Sequence, residues 1–330
     1  MTAQEEGLRI AGCVACRIGP LRLQAHSMSE GLVLAESLDQ AGALADFADS
    51  EEGTPSLELE VKSAVSLPRP QGDPVFVHRT GWEVFLEGDW ATAIKAIPFG
   101  SDRVLRRAEF GLDGGTGRLG VSEQDDRPQC PFAYTFSEVA ALLLTRVGRT
   151  LLVHSACVEY GGRAWLFAGR SGAGKSTLAG LWQASGRGRV LGDESHLMWR
   201  DETGTIRVCG TPWPGSSGLY ANRSAQLGGI FFLEHGLENE REVLSGGDTL
   251  TGLLSHAFLP SWDEDSLSGV LDVAQQAVES VPCARFAFVP EGSAVAVLEA
   301  WIERGGTESG KSDRVRKGNP SDSFGFDRTQ

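Results

Sequence analysis

An eight-residue segment near the middle of the chain has the residue types and the spacing of a phosphate-binding loop. It reads Gly169-Arg170-Ser171-Gly172-Ala173-Gly174-Lys175-Ser176. Glycines let the backbone curl so that successive N–H groups point at phosphate oxygens, and the lysine adds a mobile positive charge. The serine hydroxyl can bind Mg²⁺, and the N-terminus of the helix that follows favours an anion. The segment therefore predicts a site for ATP and Mg²⁺, with the nucleotide bound by Gly169, Arg170, Ser171, Gly172, Ala173, Gly174, Lys175, Ser176 and Thr177.

An acidic pair, Asp193-Glu194, follows the short strand after the loop's helix. In a βαβ unit the two parallel strands have their carboxyl ends on the same edge of the sheet, so we expect the pair beside the bound phosphates. There a carboxylate can bind Mg²⁺ or accept the proton of an attacking hydroxyl. Neighbours in an extended strand point to opposite faces, so one of the two acids should contact the metal unless the strand has ended. The candidate metal ligands are Ser176, Asp193 and Glu194, and the alternative for Asp193 is an aspartate that caps a turn.

His154 is placed by the register of a predicted hairpin. Two apolar runs flank Gly161-Gly162, a pair typical of a two-residue hairpin turn. If Tyr160 pairs with Arg163, counting back places His154 opposite Gly169, at the mouth of the phosphate loop. A structural histidine in an apolar strand is the alternative, and a bulge would shift the register. The candidate catalytic residues are Asp193, His154 and Lys175.

The elements that must position these residues differ between the two halves of the chain. Residues 1–130 read as an N-terminal β-rich domain, a candidate for substrate or partner recognition. Two apolar sets in this domain alternate with other residues at the period of a strand, which puts each set on one buried face. The sets are Leu57, Leu59 and Val61, and Trp82, Val84 and Leu86.

Residues 131–304 alternate strands with helices and form the predicted nucleotide-binding catalytic domain. Apolar spacing predicts helices that begin near Ser137 and Lys175, and further helices near 248–258 and 264–280. Residues 305–330 have almost nothing to bury, so we expect a disordered tail. The predicted fold class is α/β with a mixed, α+β type of sheet: a P-loop core preceded by the β-rich domain.

Several other residues keep two interpretations. The loop 211–218 reads either as a substrate or nucleotide loop or as a rigid corner packed by its tryptophan. Arg223 and Arg241 are candidates to steady a phosphate, against the ordinary role of surface arginines. His256 shares a predicted helix with several leucines, which favours packing or a surface position. Cys13-Val14-Ala15-Cys16 has the spacing of half a metal site, but no second such pair completes it, which favours ordinary thiols.

The bulk composition argues against several classes of partner. The 330 residues carry a formal net charge of −14, and 41% of them are hydrophobic, as in a globular protein. Proteins that coat nucleic acid or anionic membranes need clustered positive charge, so we expect neither partner. No run approaches the roughly 20 apolar residues of a membrane span, and the acidic start does not resemble a signal peptide. The six scattered cysteines favour reduced thiols. Together these features favour a cytoplasmic location.

The hairpin, the loop and the acidic pair together resemble a known family. The residues that carry the resemblance are His154-Ser155-Ala156-Cys157-Val158, Tyr160-Gly161-Gly162, the phosphate loop and Gly192-Asp193-Glu194. This segment is similar to the C-terminal domain of HPr serine kinase/phosphorylase and its relatives, which have the phosphoenolpyruvate carboxykinase-like P-loop fold. The resemblance implies a more antiparallel core than that of the common P-loop proteins. It also implies that Lys175 and Ser176 bind nucleotide and Mg²⁺, that Asp193 is the catalytic acid, and that His154 is the active-site histidine.

The resemblance has one departure and several implications for function. The family's acidic pair is commonly Asp-Asp, so Glu194 leaves the role of the second acid open. The arrangement is similar to stand-alone HPr-kinase-like proteins associated with peptide natural-product maturation. It implies a kinase that transfers the γ-phosphoryl group of ATP to serine or threonine of a protein or precursor peptide, and oligomeric relatives suggest a homo-oligomer. A small-metabolite kinase or phosphorylase and a catalytically inactive nucleotide-binding adaptor are the alternatives.

Overall fold

Two mixed β-sheets and four α-helices make up the described part of the protein, which places it in a mixed α/β, or α+β, class. The computed structural model describes residues 10–30, 32, 34–35, 43–51, 53–77, 81–111, 115–123, 132 and 149–304. The helix predicted to begin near Ser137, Cys130 and the tail 305–330 lie outside the described residues. None of the described helices is both long and apolar enough to cross a membrane.

The first sheet comes from the N-terminal part of the described chain. Its strands and those of a small neighbouring sheet are β1 (Ile10–Ala11), β2 (Cys13–Ile18), β3 (Leu21–Ser27), β4 (Leu34–Ala35), β5 (Leu57–Ala64), β6 (Phe76–Val77), β7 (Trp82–Glu87), β8 (Trp90–Ala96), β9 (Val104–Gly111) and β10 (Thr116–Ser122). The order is β2-β3-β5-β10-β9-β8-β7-β6, while β1 pairs with β4. β5 runs parallel to β3 and β10, and the other neighbours are antiparallel. A 3₁₀ helix spans Ala43–Phe47.

The alternation predicted for two of these strands is confirmed in β5 and partly wrong in β7. In β5, Leu57, Leu59 and Val61 are buried, and the residues between them are more exposed. In β7 both faces are covered over the first four residues, so Glu83 is buried, whereas Leu86 is 41% exposed. Where both faces of a strand are covered, buried and exposed residues do not alternate, so a period-two pattern predicts the wrong burial for some of its residues.

The second sheet contains the predicted hairpin and the phosphate-loop strand. Its strands are β11 (Leu151–Tyr160), β12 (Arg163–Ala168), β13 (Arg189–Gly192), β14 (Ser195–Arg200), β15 (Ile206–Gly210), β16 (Ser224–His235), β17 (Glu240–Val243) and β18 (Cys283–Phe288). The order is β12-β11-β14-β15-β16-β18-β17, with β13 also paired to β11. Because β12 pairs with β16 as well, strands β11, β12, β14, β15 and β16 close into a ring.

The predicted hairpin register is confirmed. β11 and β12 pair without a slip from Tyr160 opposite Arg163 to Ser155 opposite Ala168. The turn residues Gly161 and Gly162 have φ of 59° and 76°, as a tight two-residue hairpin turn requires. The ladder ends at Ser155, and the expected position of His154 opposite Gly169 is not formed: residues 256–258 take the place of β12 there, and the His154 N–H donates to the carbonyl oxygen of His256 at 2.8 Å.

Four helices pack against the second sheet. They are α1 (Lys175–Ser185), α2 (Gly246–Leu254), α3 (Glu264–Ser280) and α4 (Gly292–Glu303). The predictions of a helix from Lys175 and of one over 264–280 are confirmed. α2 begins two residues earlier than predicted, because Ser245 caps its N-terminus by accepting from the Asp248 N–H, and it ends four residues earlier, at Leu254. α1 buries Leu178 and Trp182 against the sheet.

The apolar core continues from the first sheet into the second. One cluster of buried side chains combines Leu23 and Val61 of the first sheet with Trp199 and Cys209 of the second. The contact is close at Gly19, where a Cβ atom would lie 2.9 Å from the Cys209 Sγ. The two sheets therefore stabilise each other through shared apolar burial.

Candidate functional site

The phosphate loop connects the end of β12 to the start of α1. Gly172 and Gly174 have φ of 81° and 97°, a region that residues other than glycine rarely adopt. A Cβ atom on Gly174 would also lie 2.6 Å from the Cζ of Phe288. α1 begins directly after this glycine, so the free N–H groups and the positive end of the helix dipole belong to the loop.

Lys175 is nearly buried, with 7% of its surface exposed. Its ammonium group donates to the carbonyl oxygens of Gly169, at 2.8 Å, and Arg170, at 3.2 Å. Backbone carbonyls thus hold this charge over the loop. Ser176 is half-buried beside it. The loop is open to solvent at Arg170, Ser171, Gly172 and Thr177.

His154 is the fourth residue of β11 and lies next to the acidic pair. Its Nδ1 is 2.8 Å from the carbonyl oxygen of Glu194, and 3.4 Å from the Oε1 of the same residue. A carbonyl oxygen only accepts, so Nδ1 carries the proton, and Nε2 is the nitrogen that can accept one. About a third of the His154 side chain is exposed. The residue is therefore accessible, and its Nδ1 is held by Glu194.

Asp193 follows β13 at the same edge of the sheet as the loop. β12 and β13 are both antiparallel to β11 and flank it, so they run in one direction with β11 between them. The Asp193 side chain is buried, with only 1% of the residue exposed. Its Oδ1 accepts from the Gly215 N–H at 2.9 Å and its Oδ2 from the Ser217 N–H at 3.2 Å. The turn-anchoring role, considered as the alternative, is therefore present in the structure.

The loop 211–218 combines both of its interpretations. Its Trp213 is buried, and the indole N–H donates to the carbonyl oxygen of Phe132 at 2.8 Å, so the corner is packed. Its other end covers Asp193. Gly215 can approach the carboxylate this closely because it has no side chain: a Cβ atom there would lie 2.9 Å from the Asp193 Oδ2. Ser216, Ser217 and Gly218 are exposed. The loop is thus packed at Trp213, and its exposed tip lies over Asp193.

His196 is a buried histidine that the sequence pattern did not single out. It is fully buried on β14, and its Nδ1 is 3.0 Å from the hydroxyl oxygen of Ser155. Burial lowers the pKa of His196 to about 3, so the ring is neutral. Its Nε2 atom is buried without a hydrogen-bond partner among the described residues. The only sequence signal was its position three residues after Asp193.

A cavity of about 570 Å³ lies beside the phosphate loop. Its walls are the loop residues 169–173, the end of β16, part of α2, and Arg285 of β18. His256 also lines it, from a turn beyond the end of α2 rather than from within the predicted helix. Burial, and after it the charges of Lys175 and Arg170, lowers the pKa of His256 to about 4. His256 is therefore a neutral imidazole close to the loop's cations.

The remaining candidates lie in other contacts. Arg223 forms an exposed ion pair with Glu159 at 3.0 Å, and Arg241 lies over the ring of Trp301, 5.0 Å from its centroid. Neither arginine lines the cavity. Cys13 and Cys16 fall on opposite faces of β2, one half-buried and one buried, and all five described cysteines are free thiols. Within the described residues no group of three or more His, Cys, Asp or Glu side chains could hold a metal.

Comparison with known proteins adds little to this geometry. No family model and no curated protein matches the chain. Among solved structures, the HPr(Ser) kinase/phosphatase from Coxiella burnetii is similar to it, with 11% sequence identity and a TM-score of 0.27 over 46% of this chain and 88% of that chain. A likeness at this level carries no argument about activity, so the case for a function depends on the residues themselves.

Proposed function

We propose that this chain is an ATP- and Mg²⁺-dependent kinase that transfers the γ-phosphoryl group to a hydroxyl, that of serine or threonine in a protein or precursor peptide. The observation that carries the proposal is the geometry of the phosphate loop. Gly172 and Gly174 turn the backbone through positive φ, α1 starts at once, and the Lys175 ammonium lies over the loop. Helix N-termini preceded by such turns bind phosphate groups.

The residues present fit a nucleotide with its metal. Position 174 of the loop requires glycine, because the ring of Phe288 leaves no room for a side chain there. Ser176 and Asp193 would hold Mg²⁺, because each Asp193 oxygen accepts one backbone N–H and a carboxylate oxygen has a second lone pair. When bound, ATP would supply the phosphoryl group, and Mg²⁺ would neutralise charge on it.

Each residue then has a defined task in the proposed reaction. Lys175 and the loop amides hold and neutralise the phosphates. His154 or Asp193 takes the proton of the acceptor hydroxyl: the Nε2 of His154 is the ring nitrogen that does not face the Glu194 carbonyl, and the Asp193 carboxylate lies at the same edge. Asp193 is covered by Gly215 and Ser217, so the tip of the loop 211–218 must move before a hydroxyl reaches it. Catalysis is then mainly positioning and charge neutralisation.

One observation favours a second candidate, a nucleotide-binding adaptor without transfer activity. The Asp193 carboxylate is 1% exposed and uses both oxygens to anchor a loop. In that case ATP would only stabilise the folded state that binds a partner. Under this alternative the Asp193→Asn variant would bind nucleotide as the wild type does, and neither protein would transfer phosphate.

The decisive experiment is transfer of label from γ-labelled ATP with Mg²⁺ into a lysate of the source cells, separated into protein, peptide and small-molecule fractions. Lys175→Ala removes the loop's charge. Lys62→Ala, at an exposed position of the first sheet, is the matched control. Label in the protein or peptide fraction with wild type and Lys62→Ala, absent with Lys175→Ala, is the expected result. Label confined to small molecules would favour a metabolite kinase, and no transfer with intact ATP binding would favour the adaptor.

A further inference from the structure

The acidic pair lies in a stretch of chain that stays beside β11. The last residue pair of β13 and the first residue pair of β14 follow the same register with β11, on either side of the two acids. The Ser155 N–H of β11 donates to the carbonyl oxygen of Glu194 at 3.1 Å, and the Nδ1 of His154 is 2.8 Å from the same oxygen. One backbone carbonyl therefore joins the acidic pair to the candidate catalytic histidine.

His196 contacts this stretch at two points from within the core. It is fully buried on β14, and its Nδ1 is 3.0 Å from the hydroxyl oxygen of Ser155. A hydroxyl can donate or accept, so either tautomer of the ring forms this hydrogen bond. The ring also packs on Gly192, where a Cβ atom would lie 2.9 Å from its Nε2 and 3.3 Å from its Cε1. His196 thus connects the residue before the acidic pair to the strand that supports the pair.

We infer that His196 is a positioning residue for the proposed reaction: with Ser155 it holds the acidic pair against β11, which fixes Asp193 and His154 relative to each other. The inference rests on the proposed function, because it takes these two residues as the groups that bind metal and accept the proton. His196 is fully buried, so it acts through Ser155 and Gly192 and not by contact with a substrate.

The proposed reaction gives this contact a task. Residues 193 and 194 lie outside both β13 and β14. In the structure the Asp193 carboxylate is also held by the amides of Gly215 and Ser217. When the tip of the loop 211–218 moves to admit an acceptor, Asp193 loses these two amides. The contacts of His196 with Ser155 and Gly192 belong to the sheet and stay in place, so they keep the acid in position during transfer.

Stability alone does not account for the residue types. Burying an imidazole costs free energy that an aliphatic side chain would not, and the Nε2 of His196 has no hydrogen-bond partner among the described residues. A glycine at the end of a strand, such as Gly192, gives no side chain to the core. Each residue fits the other, because the missing Cβ of Gly192 makes room for the ring. Two residues that are unfavourable for a core thus meet beside the acidic pair.

The test measures transfer of label from γ-labelled ATP into the lysate fraction that the wild type labels. The ATP concentration is varied, so that the maximal rate is separated from the KM for ATP. His196→Leu and Ser155→Ala each remove one partner of the hydrogen bond, and Ser155→Ala removes only one oxygen atom, in case leucine disturbs folding. His196→Asn keeps a polar atom near the position of Nδ1. Val208→Ala, at a fully buried position of β15, is the matched control for lost core packing.

We expect the maximal rate to fall about tenfold in His196→Leu and in Ser155→Ala, because small displacements of catalytic groups slow transfer. The KM for ATP should keep its wild-type value, since the phosphate loop is not changed. The double variant should be no slower than the slower single variant, because both changes break one contact. His196→Asn should keep most of the wild-type rate, and Val208→Ala should lose stability in urea but transfer at the wild-type rate.

Wild-type rates in both His196→Leu and Ser155→Ala would overturn the inference. An equal loss of rate in Val208→Ala would also overturn it, and so would a rate in His196→Asn as low as that of His196→Leu, because the effect would then come from core packing. If the wild type transfers no label to any fraction, the proposed function itself fails, and the inference fails with it.

Discussion

Buried charged side chains occur in both sheets, but they are held in different ways. In the first sheet Glu83 is buried and Arg69 donates to both of its oxygens, at 2.9 and 2.5 Å. At the phosphate loop, Asp193 accepts from two backbone amides, and Lys175 donates to two backbone carbonyls. A salt-bridge partner neutralises a buried charge, whereas backbone dipoles hold a charged group in place without neutralising it. Under the proposed function, the Arg69–Glu83 pair serves the stability of the first sheet, whereas Asp193 and Lys175 are held in position for a ligand.

The largest effect should come from Asp193→Asn, compared with Asp201→Asn. Both aspartates anchor a turn through two backbone amides, but Asp201 lies on an exposed turn away from the loop. We expect phosphoryl transfer to fall about a thousandfold in Asp193→Asn, because a carboxylate that binds metal or takes a proton is lost. Asp201→Asn should transfer at the wild-type rate. Equal rates in the two variants would leave Asp193 with a structural role alone.

Glu83→Ala should act on stability instead of on nucleotide binding. The variant leaves the Arg69 guanidinium, 19% exposed, without its carboxylate partner, and we expect a loss of about 3 kcal/mol in the free energy of unfolding. Urea denaturation measures it. Glu58→Ala, in an exposed contact with His26, should change it by about 0.5 kcal/mol or less. Weakened ATP binding in folded Glu83→Ala would break the division between the two sheets.

Acid should destabilise the protein through His196. Its pKa is lowered to about 3 by burial, whereas an unfolded histidine binds a proton near pH 6.5, so stability is complete above about pH 6.5 and falls as the pH drops towards 3. From pH 7 to pH 5 the expected loss is about 2 kcal/mol. Urea denaturation at pH 7 and at pH 5 measures this loss of stability, and the loss should be smaller in His196→Gln than in the wild type.

The control for this slope is His26→Gln, which removes a histidine from the first sheet and should keep the wild-type loss. His256, with a pKa of about 4, adds a loss of the same sign in every one of these proteins. The difference between wild type and His196→Gln therefore isolates one residue. An unchanged slope in His196→Gln would show that its burial does not control the acid response.

The smallest effect should separate two glycines of similar backbone geometry. Gly172 of the loop and Gly115 of the first sheet have φ of 81° and 88°, and no described atom lies within 4 Å of either Cβ position. Alanine at either position should cost about 1 kcal/mol of stability through backbone strain. ATP affinity should fall only in Gly172→Ala, because only that backbone turns around the phosphates. Equal ATP affinities in the two variants would argue against the loop as the binding site.

The local parts of the site were predictable from the sequence, and the parts built by distant segments were not. The pairing of Tyr160 with Arg163 followed from the two-residue turn, since the turn leaves one register, but that register stops before His154, which lies opposite His256. The start of α1 followed from the loop motif. The amides that cover Asp193 come from a loop about twenty residues later, and the cavity needs α2 and β18 to meet β16. No local pattern contains these contacts, because they depend on how the sheet closes.

The measurement that tests the central claim most directly is calorimetric titration of ATP with Mg²⁺ into the wild type, Lys175→Ala and Lys62→Ala. If the loop holds the phosphates, wild type and Lys62→Ala bind with equal affinity, and Lys175→Ala binds about tenfold or more weakly, because a charge-assisted contact to phosphate is lost. Binding of ATP to Lys175→Ala with wild-type affinity would contradict the account.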